Sequence, residues 1–400
     1  MVGVDPPVSA TSDWAASGLA CLTGPSDGPP DFSRAVVLAE ARRVTSDIAG
    51  LIGVEVDAAT VLSGRAAILN LTRRGRISAG GATRLLAAAD GWCAVALPRD
   101  DDVAALPALM EVDEVGGDHW TALTRWAATR RTENVIARAQ LLDIAAAALG
   151  EAPAVSPAVR SSGSGAGWRG FEGLLVADLS SLWAGPLCAQ LLTRAGATVI
   201  KVESRSRPDG TRGGEPAFFD WMNSGKLCYA VDFDHDGDAL HQLLAAADIV
   251  IEGSRPAALR RRKLSVDDVP ARPGRIWLRI NGYHDQPDRP AFGDDAAVAG
   301  GLVGAAADGP VFCGDAIADP LSGLEAARAV GASLRRGGGE VIDVSMAQVA
   351  ARYAALPQST VDAAASDRTL LPAAVPSASP LGADNAAVER LVAERYCATC

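Results

Sequence analysis

Asp319 and Asp315 stand four residues apart in FCGDAIADPLSGLEAARA, with Asp319 directly before Pro320 and a run of helical spacing. A carboxylate at a helix start is favoured by unpaired backbone N–H groups and by the positive end of the helix dipole. Such a group could belong to a site at the helix start, and simple helix capping is the plainer account. Asp294 and Asp295 in FGDDAAVAGGL form a second acidic pair, for which capping is the plainer account. Cations gather elsewhere. Lys201-Val-Glu203 is followed by Arg205, Arg207, Asp209 and Arg212, and Arg255 by Arg260, Arg261, Arg262 and Lys263. Lys226 lies between the two groups in MNSGK. Arginines at strand ends can grip phosphates bidentately, and a solvated loop would carry the same residues. Charges spread this widely would suit a long anionic ligand bearing a nucleotide. The small-residue turn SSLWAGP, 180–186, would let a ligand approach the backbone closely; an ordinary strand-to-helix turn would look the same.

The elements that must position these residues are legible as alternating patterns. Strands are expected at 174–179, 198–203, 228–233, 248–252, 275–281 and 340–345, with helices at 186–195, 237–247 and 321–334. Short apolar strands alternating with helices predict an α/β fold with a doubly wound, mostly parallel sheet. Ligands of such sheets bind beyond the carboxyl ends of the strands, here 180–185, 203–212, 252–255 and 281–284. Ahead of this lies a smaller, mainly helical α+β region. Helices are expected at 33–52, 58–71 and across 120–149, and a short strand at 92–97. The Pro-, Ser- and Gly-rich stretch EAPAVSPAVRSSGSGAGWRG reads as a linker. The expected division is a loose segment at 1–30, a small domain at 31–150, a linker at 151–172, a large domain at 173–355 and a Pro/Ala-rich closing segment at 356–400.

Composition narrows the classes. The 400 residues are 48% hydrophobic, which predicts a globular chain with a sizeable core. A formal net charge of −11 argues against general nucleic-acid binding. No run of about 18 apolar residues predicts a membrane span. The opening MVGVDPPVSATSDW lacks the pattern of a signal peptide. Seven scattered cysteines suit reduced thiols and a cytoplasmic setting. The terminal Cys397-Ala-Thr-Cys400 has no second pair, four histidines are dispersed, and no metal site is expected.

Several motifs in order resemble the family III CoA-transferases, the group that includes formyl-CoA:oxalate and carnitine CoA-transferases and the α-methylacyl-CoA racemases. VADLSSLWAGPLCAQLLTRAGATVIKVE is similar to the family's opening strand, AGP turn and second strand, and DGTR to the following loop. FFDWMNSGKLCYAVDF resembles the next segment. IVIEGSRPAALRR resembles the VxENFRPG stretch, with Gly253 where that pattern has Asn. ADPLSGLEAARAVGASLRRGGGEVIDVSM resembles the helix that carries the catalytic aspartate. The family's small-domain stretch around a DGW turn is matched by GGATRLLAAADGWCAVALPRDDDVAAL, which here comes first, implying a permuted order or one remnant of a tandem fusion. LGADNAAVERLVAERY resembles the closing segment.

The resemblance implies a Rossmann-like large domain, with Asp319 as covalent nucleophile and CoA along Leu182, Trp183, Ala184, Arg205, Arg212, Lys226 and Arg255. It implies an acyl-CoA and a carboxylic acid acceptor as partners, CoA thioester as substrate with no permanently bound cofactor, and a homodimer, interlocked in the family. The racemase branch has a histidine in the stretch matching 293–302. This chain has Asp294 and Asp295 there, and His284 lies earlier, so transfer ranks above racemisation. A catalytically silent CoA-binding protein is the reading from a different class. A carboxylate nucleophile suits transfer, because its anhydride and thioester keep the acyl activation that a serine ester would lose. Gly300 and Gly301 are candidate backbone donors to an oxyanion.

Overall fold

The computed structural model describes residues 10–167, 170–253, 255–359, 363–364 and 370–397. Its strands are β1 Thr83–Ala88, β2 Gly91–Ala96, β3 Ala145–Ala148, β4 Ala158–Ser161, β5 Leu175–Leu179 and β6 Thr198–Ser204. They continue with β7 Leu227–Val231, β8 Ile249–Glu252, β9 Ile276–Asn281, β10 Val303–Ala306, β11 Gly309–Phe312 and β12 Glu340–Ser345. Seven form one sheet in the order β4-β12-β9-β8-β5-β6-β7, parallel except for the antiparallel edge strand β4. The doubly wound sheet expected from the alternating pattern is present. After the edge strand β4 the chain passes to β5, winds outward through β6 and β7, then crosses to β8 on the other side of β5. The order therefore reverses between β5 and β8, and the carboxyl ends of these strands are where sheets of this kind bind ligands.

β5 is buried along its whole length, as a central parallel strand should be. Its alternate residues serve two cores. Val176 faces a layer with Ile249, Ile251, Leu278 and Ile342. Leu175 and Ala177 face the opposite layer with Val250, Trp277, Val388 and Val392. The helix Ala318–Arg336 packs in the first layer against the helix Ala184–Arg194. They approach closely at Gly323, where an added Cβ would lie 2.7 Å from the Ala184 carbonyl oxygen. The helix ends on Arg335 and Arg336, then Gly337 with φ 103°, a left-handed C-terminal cap.

The N-terminal region differs from expectation in three ways. Trp14, Leu19, Ala20 and Leu22, expected in a loose segment, are buried in the same core as the large sheet. The helices Val36–Ile52 and Ala58–Leu69 share that core too, through Leu38, Val44, Ile48 and Leu62. Only the stretch around β1–β3 has a separate apolar cluster, built on Leu86, Val95, Trp120, Leu123 and Trp126. The packing thus divides the first 150 residues near 70–83 rather than assigning them all to one small domain. The second difference is local. The alanines 145–148, read as helix, form β3 because Asp143 adopts φ 57° and ends the helix, and the edge of β2 offers free hydrogen bonds. Pairing outweighs the helical preference of alanine. Third, part of the expected linker is β4, stitched to β12.

The closing helix Asn385–Cys397 covers β7. Asn385 bonds both the N–H and the carbonyl of Ala230, at 3.0 and 2.8 Å, and Asp384 accepts from Cys228 N–H at 2.8 Å. Cys400 and the Cys397 side chain lie outside the described residues. Among the described residues no helix is long and apolar enough to cross a membrane.

Candidate functional site

The 180–186 turn stands on a floor of buried ion pairs. The ammonium of Lys226 donates to Asp178 at 2.9 Å, and to the Pro186 carbonyl and Asn223, each at 3.1 Å. Asp178 accepts in turn from the Ser180 hydroxyl and from Ser180 N–H. Burial alone would raise the Asp178 carboxyl, but Lys226 and Lys201 outweigh it and hold it below its usual value. Lys201 donates to Asp209 at 2.7 Å and to the Ser180 carbonyl. Asp209 also accepts from Thr211 and, at 3.1 Å, from the N–H of Leu182. That bond holds Leu182 at φ 72°, a left-handed conformation costly for a leucine. The DGTR loop therefore shapes the turn from beneath.

The cations expected along CoA fall into two groups. Lys226 is 2% exposed, so its charge does not reach the surface; a lysine there is tolerated because three acceptors replace water. Arg212 is directed inward as well. It pairs with Glu203 at 2.6 Å and lies over the Phe219 ring at 4.2 Å. Arg205 and Arg207 are exposed at the end of β6, without an ion-pair partner among the described residues. Arg255, after β8, is partly exposed and reaches Asp143 of the β1–β3 region at 2.8 Å. Trp183 and Ala184 are buried at the start of their helix, while Leu182 is exposed.

Asp319 lies in the first turn of the Ala318–Arg336 helix, half-buried. Gly293 brings the start of the helix Gly293–Ala299 against it. An added Cβ there would overlap the Asp319 carboxylate and the Ala316 carbonyl. Burial, with the charges of Asp294 and Asp315 adding to it, pushes Asp319 up to about 7 against the pull of Arg65 and the Gly293 N–H. Burial and Asp315 likewise push Asp294 up to about 6. Asp295 bonds the Phe292 N–H at 2.8 Å as a helix cap, and burial pushes it up to about 8. Gly300 and Gly301 are not free donors: their N–H groups bond Ala296 and Val298 at the end of that helix. Among the described residues no group of three or more His, Cys, Asp or Glu could hold a metal ion.

One participant was missed. Arg65, from the Ala58–Leu69 helix, bonds Asp315 at 2.6 Å across 250 residues of sequence. Its guanidinium lies 5.7 Å from the Trp183 ring centroid and 5.6 Å from that of Phe218. It thereby links the turn at 183 to the acidic cluster. The available signal was its isolation, the lone charge in AATVLSGRAAIL.

Comparison with known proteins gives three findings. The model of the family described as CoA-transferase family III matches residues 171–381. A succinyl-CoA–D-citramalate CoA-transferase of Chloroflexus aurantiacus is 29% identical over 198 residues, covering 44% of this chain and 49% of that protein. An (R)-2-hydroxy-4-methylpentanoate CoA-transferase of Clostridioides difficile is 34% identical over 150 residues, covering 33% and 37%. The chain spans about half the length of the curated relatives it matches. Among solved structures, a hypothetical protein of Mycobacterium tuberculosis is 30% identical, with TM-score 0.42, covering 45% of this chain and 56% of that one.

Proposed function

The chain belongs to CoA-transferase family III, and from that premise we propose that it moves CoA from an acyl-CoA to a carboxylic acid, with Asp319 as the covalent nucleophile. The observation that carries the reading is the position of Asp319. It lies at a helix start, touching Gly293, at the same end of the sheet as the 180–186 turn and Arg255. CoA would enter at the carboxyl ends of β5 and β8, with its phosphates toward Arg205 and Arg255 and the exposed backbone at Leu182. Arg212 and Lys226 hold the floor beneath it.

The chemistry balances in four steps. The Asp319 carboxylate attacks the thioester carbonyl, giving a mixed anhydride and CoA thiolate. The thiolate attacks the aspartyl carbonyl and releases the donor acid, leaving an aspartyl-CoA thioester. The acceptor carboxylate displaces CoA thiolate, forming a second anhydride. The thiolate then attacks the acceptor's acyl carbonyl, which frees the new acyl-CoA and restores Asp319. Every intermediate hydrolyses readily, so the burial around Asp319 suits the reading. We read the fragment around β1–β3 as the family's small domain placed first, and expect a homodimer, which light scattering in solution would test.

Incubation with an acyl-CoA and hydroxylamine, followed by peptide mass analysis, tests the intermediate. A hydroxamate at Asp319 is expected; modification only at another acid would overturn the assignment. The same residue sets a pH dependence. Only the carboxylate attacks, so the rate of acyl-enzyme formation rises through about pH 7, where Asp319 ionises, and levels above it. A flat profile between about pH 5 and 8 would contradict this. Gly293→Ala must shift the Ala316 backbone as well as the carboxylate, and is expected to lower kcat by about 100-fold together with the melting temperature.

A further inference from the structure

Asp294, Asp315 and Asp319 gather at the head of the Ala318–Arg336 helix, and Arg65 is the cation that acts on all three. Burial would lower the guanidinium, and the three carboxylates outweigh it. Arg65 comes from a separate element, the Ala58–Leu69 helix, and that helix is closely seated. At Gly64 an added Cβ would lie 2.6 Å from Pro372 Cγ and 2.8 Å from Trp221 Cη2. The guanidinium itself lies within 6 Å of the Trp183 and Phe218 ring centroids, at 5.7 and 5.6 Å, where ring faces hold a planar cation in place. Its Nη1–H donates to Asp315 Oδ1 at 2.6 Å. Asp315 is 1% exposed, and its Oδ2 has no hydrogen-bond partner among the described residues. Asp294 accepts from Ala316 N–H at 3.0 Å and from the Thr83 hydroxyl at 3.4 Å, both neutral donors. Other cations nearby are engaged away from Asp319. Arg289, which acts on Asp295, is bonded to Glu151 at 2.7 Å, and Arg328 and Arg352 pair with Glu325 further along the helix.

We infer that Arg65 is a positioning residue of the transfer reaction: anchored on Asp315, it is the counter-charge that keeps Asp319 in its ionised, attacking form at neutral pH. The inference rests on the transferase reading and adds the residue that sets the state of its nucleophile. Carboxylates crowded in a poorly solvated place oppose one another's ionisation, and an opposite charge beside them relieves it. Arginine keeps its proton throughout the working range, so the charge it supplies is fixed. Its planar fork lets one N–H anchor on Asp315 while the charge still acts on Asp294 and Asp319. Burial and crowding hold both of those carboxyls high even with Arg65 in place. Without it Asp319 stays protonated at neutral pH, and a protonated acid does not attack a thioester.

Arg65→Gln and Asp315→Asn in the full chain separate this role from a merely structural one, because they should act in opposite directions. Arg65→Gln removes the attraction, so the acid limb of acyl-enzyme formation moves up from about pH 7 by about one unit or more. The rate is then about fivefold lower at pH ~7 and recovers by pH ~9. Asp315→Asn leaves Arg65 an acceptor and removes a like charge, so the limb moves down by about half a unit. A structural role would lower the rate in both variants and move neither midpoint. Labelling of Asp319 by a water-soluble carbodiimide and glycinamide across pH, read by peptide mass analysis against wild type, follows its protonation without turnover. Opposite shifts of the labelling midpoint uphold the inference, and any other pattern overturns it. If Arg65→Gln does not fold, Asp315→Asn decides alone: a lower midpoint upholds the inference, and an unchanged or higher one overturns it. Opposite shifts in labelling with no CoA exchange in the wild type overturn the transferase reading and keep Arg65 as the group that holds Asp319 ionised.

Discussion

Asp319→Ala is expected to lower CoA exchange by about 1,000-fold or more while leaving acyl-CoA binding within a few-fold of wild type. No neighbour replaces the nucleophile. Asp315 is held by Arg65, and Asp294 by Ala316 N–H. Stability moves the other way. The Asp319 carboxyl is held at about 7 in the folded chain against an ordinary 3.8. Its protonated form is the one the fold favours, so the stability it contributes is full below that ordinary value and is lost as pH rises toward about 7. At pH ~8 the wild type holds a buried charge beside two others, and the variant does not; its melting temperature there is expected to be the higher. The difference should vanish below pH ~4. Isotope exchange between labelled acetate and acetyl-CoA reads the first effect and scanning calorimetry the second. Full exchange activity in the variant would remove Asp319 from the mechanism.

Lys226→Met is expected to destabilise the fold by roughly 3 kcal/mol, because it takes the bonded cation from Asp178 in a dry interior and leaves only Lys201 and Ser180 to offset that charge. Both side chains are fully buried, and the ammonium satisfies Asp178, Asn223 and the Pro186 carbonyl together. The loss should pass to the ligand as well. Asp178 fixes Ser180, and Ser180 begins the turn that carries Leu182 and Trp183. Urea denaturation should show a lower midpoint, and KM for acyl-CoA should rise more than kcat falls. Lys226→Met combined with Asp178→Leu separates the causes. Replacing both charges should restore most of the stability but not the geometry of the turn. If the single variant is as stable as wild type, Lys226 is not the keystone of the floor.

Composition and periodicity made much of the large sheet legible. Apolar runs bounded by turn residues marked β5, β6, β8, β9 and β12 to within a residue or two, because a buried parallel strand needs nothing from distant sequence to look like one. Asp319 read locally as a helix cap, and only the resemblance of ADPLSGLEAARA to the family's helix marked it as the candidate nucleophile. The charged residues were another matter. Lys226, Arg212, Arg205 and Arg255 look alike in sequence, yet two face inward onto Asp178 and Glu203 while two remain near solvent. A cation's role depends on which carboxylate it meets, and those partners are between 9 and 112 residues away. Arg65 is the extreme case, meeting Asp315 across 250 residues. The alanines of β3 show the same limit in the backbone, since their preference is helical and only the edge of β2 makes them a strand. The motifs in their order determined the family and the doubly wound class of the sheet, and through that resemblance they offered Asp319 as the candidate nucleophile. Tertiary structure alone decided which charges are structural and which neighbours crowd Asp319, because a charge acts through distance in space and the sequence holds only distance along the chain.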